Sequence, residues 1–268
     1  MLRIFMLCCA IVFTGTTLLA ESGKPIVREK HKVIIDGAEE LWSLQWTSTP
    51  NPACGPEDVD WMTCPCMGFA FGESGDLELV RKRAGRKDER LSLTHVFGAY
   101  DADAPATVAD GPQAVLRRWD ERKDDLDKQD SPTFAVRVKA RPLARIMKFA
   151  DYDHDGRATE FVLQIGTLPC GKRMSVVVGI SRSNPRLHVF TSVERPEEPL
   201  VLQAWHWESL RRAKSVVKVV QWPCGDHGYD GVDEFELRAE KGNIYAMKRQ
   251  YECGENDQRG RLVKQEKF

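Results

Sequence analysis

Over most of the chain apolar residues alternate with polar ones in short stretches bounded by Gly, Pro and Asp, the period-two pattern of strands with one buried face. Val33 to Ile35 and the set Trp42, Leu44 and Trp46 predict two early strands, the second with all its large side chains on one side. A Pro- and Cys-rich connector follows from Pro50 to Cys66. Leu77 and Leu79, then Leu91, Leu93 and Phe97, predict a hairpin around a basic turn, Arg81 to Arg90, whose charges read as solvated.

The period then changes. Val115, Leu116, Trp119 and Leu126 recur at helical spacing behind Asp110 as N-cap and Pro112 in the first turn, predicting a helix from Pro112 to Lys128. Its charges, including the pair Asp124 and Lys128, read as a solvated face. Extended chain resumes after Pro132, where Phe134, Val136 and Val138 alternate, and a second helix is predicted from Pro199 to Arg212 with Leu202, Trp205 and Leu210 inward. Strands return at Val216 to Val220, Phe235 to Leu237 and Ile244 to Met247, the last two joined by Lys241, Gly242 and Asn243. The fold class expected is mainly β, antiparallel and with some α+β character, carrying two helices.

Charge narrows the function. With 39 Lys+Arg against 40 Asp+Glu in 268 residues, the chain has no excess of cations to displace counterions from phosphates, so nucleic acid is not an expected partner. Arg3 precedes an apolar run, Ile4 to Phe13, with a small-polar stretch and Ala20 behind it, the pattern of a secretory signal peptide over residues 1–20. The run is too short for a membrane anchor, and no later segment approaches spanning length. The expected organisation is a signal peptide (1–20), a β-rich region with the Cys-rich connector and one helix (21–130), and a second β-rich region (131–268). The mature protein is expected outside the cytoplasm, free of the membrane, with an unidentified extracellular ligand or protein as partner.

Cys8 and Cys9 fall in the leader, leaving Cys54, Cys64, Cys66, Cys170, Cys224 and Cys253, an even set that reads as disulfides in an exported chain. The sequence leaves the pairing open, although Cys64 and Cys66 are too close to bridge each other comfortably. A thiolate metal site built from Cys54, Cys64 and Cys66 is disfavoured because neither C-x-x-C nor a paired His motif accompanies it.

The segment with most chemistry runs from Asp151 to Phe161, where Asp151, Asp153 and Asp155 alternate and Gly156 follows. Calcium takes six to eight hard oxygen ligands, and side chains spaced by two can converge on it only if the backbone turns sharply, as the glycine permits. This D-x-D-x-D-G stretch resembles the calcium loops of EF-hands, dockerins and FG-GAP/VCBS-type repeats, over about a dozen residues. The resemblance implies calcium as cofactor, side-chain ligands from Asp151, Asp153 and Asp155, the Arg157 carbonyl, and Thr159 at the ninth position. Val162 stands where an EF-hand has its bidentate Glu, and the alternation of Phe161, Leu163 and Ile165 predicts a departing strand rather than a helix. An FG-GAP-like strand-loop-strand therefore fits better, between strands ending at Phe149 and beginning at Phe161, with Glu160 as a further acidic ligand.

A weaker echo, Asp226, Gly228, Asp230, Gly231, Asp233 and Glu234, reads either as a degenerate calcium loop or as a tight Asp-Gly turn between strands, the turn being favoured. Catalytic signatures are missing: there is no H-E-x-x-H or G-x-S-x-G, and the S-x-x-K at Ser215 to Lys218 sits in a strand pattern without its partner motifs. His206 reads as structural, and His154 as a non-ligand facing solvent. The function expected is a structural or binding role with calcium ordering the loop. Seven tryptophans raise the alternative of a carbohydrate-binding module, with Trp61 the best candidate for an exposed ring and Trp42, Trp46, Trp119 and Trp205 on core stripes. A secreted hydrolase with paired carboxylates is the remaining alternative, without a motif to support it.

Overall fold

The computed structural model describes residues 24–55, 57, 66, 68–98, 113–119, 125, 133–168 and 172–268. Asp36 and Gly37 both adopt left-handed backbone, the conformation of a two-residue hairpin turn, and fold β1 (Ile26–Ile35) onto β2 (Ala38–Trp46). With β3 (Asn51–Ala53), β4 (Gly72–Gly75), β5 (Leu77–Arg83), β6 (Glu89–Ser92) and β7 (Ala114–Leu116) they make two antiparallel sheets, ordered β1-β2-β5-β6 and β3-β4-β7. After α1 (Phe134–Lys139), a third sheet is built around β9 (Lys172–Gly179), which pairs with β8 (Glu160–Leu168), β10 (His188–Val189) and β11 (Leu202–Gln203). α2 (Ala204–Arg212) continues directly from β11. The chain ends in a meander of β12 (Val217–Trp222), β13 (Gly231–Glu240), β14 (Asn243–Cys253) and β15 (Arg259–Lys267). The protein is thus mainly β and antiparallel, with two α-helices among the described residues.

The largest hydrophobic cluster draws from both sides of residue 130. Trp42, Leu44 and Trp46 of β2 pack with Leu77 and Leu79 of β5 and with Phe161 and Leu163 of β8, all of them excluded from solvent. Each such side chain contributes about 1.5–3 kcal/mol. Val176 and Val178 on β9 face this cluster, whereas Val177 between them faces a second one containing Trp207 and Leu210 of α2 and Phe235 and Leu237 of β13. A strand buried on both faces needs an unbroken apolar run, which Val176 to Val178 supply.

Several local expectations are reversed. Ala114–Leu116 is a strand paired with β4, not the start of a helix; Asp110, Pro112, Asp124 and Lys128 lie outside the described residues. Phe134, Val136 and Val138 form α1 rather than a strand: Phe134 and Val138, four apart, are buried while Val136 is 71% exposed. Alternation and helical spacing coincide for that pair, and packing of Phe134 edge-on against Trp119, centroids 6.4 Å apart, goes with the helix. The second helix starts at Ala204, later than expected, with Leu202 in β11; Trp205 is 53% exposed and Trp207 takes the inward place, its Nε1 donating to the Ser175 carbonyl at 3.0 Å.

No strand leads to Phe149. The chain over 142–149 forms no ladder and is held by side chains of β1. A bulge between Val27 and Glu29 lets neighbouring side chains serve the same stretch. Arg28 donates to the Ala144 carbonyl at 3.1 Å, and Glu29 Oε2 accepts from the amides of Ile146 at 2.6 Å and Met147 at 3.2 Å.

Disulfides join Cys54 to Cys66 and Cys224 to Cys253; Cys64 and Cys170 lie outside the described residues. No helix among the described residues is long and apolar enough to cross a membrane.

Arg81, expected in a solvated turn, is buried. Its guanidinium makes a two-pronged bond to Glu40, 2.5 and 2.9 Å, and donates to the Pro185 carbonyl at 2.7 Å. Burial alone would push the Glu40 carboxyl up, but the bonds from Arg81 and Trp42 and the charges of Arg81 and Arg83 hold it below its ordinary value. Removing only the cation strands a buried carboxylate. Arg81→Met should therefore cost about 3–5 kcal/mol in denaturant unfolding, and adding Glu40→Gln should restore a large share of it.

Candidate metal centre

The chain from Asp151 to Thr159 carries no strand hydrogen bonds, so its own acidic side chains satisfy its amides. Asp151 accepts from the amides of Asp155 (3.1 Å) and Gly156 (3.0 Å), and Asp153 Oδ1 accepts from Asp155 N (3.1 Å). His154 and Gly156 both take left-handed backbone (φ 56° and 88°), which coils the loop tightly enough for these short-range bonds. The loop closes through the bridge between Ala150 and Glu160, with β8 leaving as anticipated after it. On β9, Gly179 faces Glu160, and a Cβ there would strike the Thr159 carbonyl; glycine lets the end of the loop lie against the sheet.

One carboxylate oxygen from each of Asp151, Asp153 and Glu160 lies within 4.8 Å of the other two. Asp153 and Glu160 are fully excluded from solvent. Glu160 Oε2 accepts from the Tyr152 amide at 2.8 Å, and Oε1 from Thr159 N at 3.1 Å. Thr159 Oγ1 stands 2.6 Å from Glu160 Oε1 and 3.0 Å from the Ile180 carbonyl, and its single proton serves one of them at a time. Asp153 Oδ2 is buried and has no hydrogen-bond partner among the described residues.

The side chains of Asp155, Arg157 and Thr159 have partners within the protein. Both oxygens of Asp155 receive backbone amides, Oδ1 from Arg157 at 2.7 Å and Oδ2 from Arg182 at 2.6 Å. The Arg157 guanidinium pairs with both oxygens of Asp36 in the β1–β2 turn, at 2.7 and 2.8 Å. Thr159 is buried with its hydroxyl turned to Glu160 and Ile180. Two further contacts fasten the loop: Gly242 N donates to the Asp153 carbonyl at 3.0 Å, and His154 Nε2 bonds the Arg211 carbonyl at 3.1 Å, so this ring packs on α2 rather than facing only solvent. The local motif contains no signal for these partners, since Asp36, Arg182, Arg211 and Gly242 are distant in sequence.

The donor set is chemically uniform. Three carboxylates with no imidazole or thiolate select a hard divalent cation. At metal–oxygen distances of about 2.3–2.6 Å two ligands of one calcium ion stand at most about 5 Å apart, which the cluster meets.

Among the described residues the second acidic segment has no such convergence. Asp226, in a short 3-10 turn, pairs with Lys172; Asp233 pairs with Lys248 at 2.9 Å and accepts from the Tyr229 hydroxyl at 3.0 Å; Glu234 pairs with Arg259 at 2.9 Å. Three carboxylates facing three different cations make a cross-linked turn. His206 is fully buried, its Nε2 bonded to the Val220 carbonyl, and burial lowers it to about 4, as a neutral structural histidine requires. Trp61 lies outside the described residues.

Comparison with protein-family models, with curated proteins and with solved structures finds no match for this chain.

Burial is the main cause that raises Asp153 to about 7 and Glu160 to about 8, with the neighbouring acids adding to it in each case. Between their ordinary values and these, the folded chain binds more protons than the unfolded one, so stability falls as pH rises. In chelator, denaturant stability should therefore decline from pH about 4.5 to about 8, and Glu160→Gln should flatten that decline.

Proposed function

We propose that this is an exported protein that binds one calcium ion in the loop Asp151–Glu160 and that the ion acts as a structural pin. Asp151, Asp153 and Glu160 supply the charged ligands, while backbone carbonyls and water complete the shell. Asp155, Arg157 and Thr159 shape the loop: they hold its amides, its link to the β1–β2 turn and the orientation of Glu160.

The observation that carries this reading is Asp153 Oδ2, a buried carboxylate oxygen without a hydrogen-bond partner among the described residues, beside two other carboxylates. A lone buried anionic oxygen is costly, and a second carboxylate nearby adds repulsion. A divalent cation removes both costs at once. Calcium fits better than magnesium because a coiled loop of side chains and carbonyls offers a flexible, mostly dehydrated shell, whereas magnesium dehydrates reluctantly. Export is supported by the leader-like first twenty residues and by the two disulfides, which persist in oxidising compartments.

The ion binds the folded state alone, so it stabilises by mass action. In the oxidised protein a calcium titration out of EDTA should raise the thermal midpoint in a saturable way, by about 2.7 kcal/mol of stability at a hundredfold excess over Kd, with magnesium much less effective. Asp153→Asn should abolish the shift. An unchanged midpoint in the parent protein, or an undiminished shift in the variant, would overturn the assignment.

A further inference from the structure

We infer that the calcium ion proposed above latches the tip of the β13–β14 hairpin, so that filling the loop docks the tip and emptying it frees the tip. The inference rests on that calcium reading and names what the ion controls. The hairpin turns at Lys241 and Gly242, both in left-handed backbone, with Glu240 paired to Asn243 across the ladder. Lys241 is exposed, whereas Gly242 is buried. Both polar backbone groups of Gly242 are taken by other segments: its amide donates to the Asp153 carbonyl at 3.0 Å, and its carbonyl accepts from Ser183 Oγ at 2.6 Å. A Cβ at this position would come within 2.9 Å of Ser183 Oγ, so glycine is what lets the tip lie this close.

Both contacts lead back to the acidic loop. Asp153 uses its carbonyl for Gly242 and Oδ1 for the Asp155 amide, and its Oδ2 is the buried oxygen without a partner among the described residues. Ser183 belongs to the turn that follows β9. It has one hydroxyl proton and gives it to Gly242, so Ser181 Oγ donates across the 2.7 Å between the two hydroxyls and itself accepts the Asn184 amide at 2.9 Å. The turn is fastened to the loop in its turn, because Asp155 Oδ2 accepts the Arg182 amide at 2.6 Å. When the ion leaves, repulsion among Asp151, Asp153 and Glu160 acts on the residue whose carbonyl holds the tip. Through the Asp155 amide it also acts on the residue that holds the turn.

The remainder of the hairpin has support of its own. Leu237, Ile244 and Ala246 belong to the hydrophobic cluster of Trp207, and the Ile244 carbonyl accepts the Val193 amide at 2.8 Å. Release is therefore confined to the tip and leaves the core intact. Coupling of this kind is reciprocal: if the ion favours the docked tip, the docked tip favours the ion by the same factor. Ser183 is exposed and is not one of the three carboxylates, so its substitution tests the coupling without touching a charged ligand.

The test is hydrogen–deuterium exchange of the oxidised protein in EDTA and in saturating calcium, read by mass spectrometry over residues 240–243, with calcium binding measured in parallel. The tip is expected to exchange about tenfold or more slowly in calcium than in EDTA. Ser183→Ala is expected to weaken calcium binding about fivefold and to lower the thermal midpoint in calcium but not in EDTA, where the contact is already broken. A merely structural contact would lower both midpoints equally. The latch is overturned, with the calcium site left standing, if the parent binds one ion and the tip exchanges alike in both conditions. The same holds if Ser183→Ala lowers the two midpoints equally or leaves calcium affinity unchanged. If the parent binds no calcium, the site itself fails and the latch falls with it.

Discussion

A buried cluster of like charges is the constraint around which the middle of this protein is arranged. Asp153 and Glu160 are shut off from water, with Asp151 beside them. Such a cluster persists only if protons or a cation relieve it and if the surrounding structure holds it in place. The holding is visible on four sides. Arg157 reaches Asp36 in the first hairpin, Asp155 takes the Arg182 amide, Asp153 receives Gly242 from the β13–β14 turn, and His154 reaches the last turn of α2. A loop of ten residues thereby joins the N-terminal sheet, the third sheet, the C-terminal meander and a helix. A cation bound there would tighten contacts far beyond its own ligands.

The N-terminal sheet is tied to the rest of the chain by the same device of buried carboxylates, resolved differently. Glu29 accepts the amides of Ile146 and Met147, and Glu40 is matched by Arg81, which also reaches Pro185. Here amides or a guanidinium neutralise the acid, so no ion is needed. In the acidic loop amides satisfy Asp155 and part of Glu160, and Asp153 Oδ2 is left over. That contrast separates a structural carboxylate from a candidate ligand better than acidity alone.

The alternation of Trp42, Leu44 and Trp46 identified a core strand because one face of β2 is buried without interruption. The same rule failed at Phe134, Val136 and Val138, where the period of a strand and the four-residue spacing of a helix select two of the same residues. It failed at Ala114–Leu116 for the opposite reason: three residues pairing with β4 are too few to show a period. The acidic cluster was legible since Asp151, Asp153 and Glu160 lie within ten residues of one another. The partners of Asp155 and Thr159 were not, because Arg182 and Ile180 are neighbours brought in by β9. Arg81 was misplaced likewise, as its partner Glu40 lies on a different strand and Pro185 lies beyond the sheet altogether.

The most direct test of the central claim is the stoichiometry of bound calcium, measured by equilibrium dialysis of the oxidised protein against calcium in excess magnesium. One ion per chain is predicted, lost in Glu160→Gln and kept in a variant of the second acidic segment, Asp233→Asn. No bound calcium in the folded parent, or an ion retained by Glu160→Gln, would contradict the account.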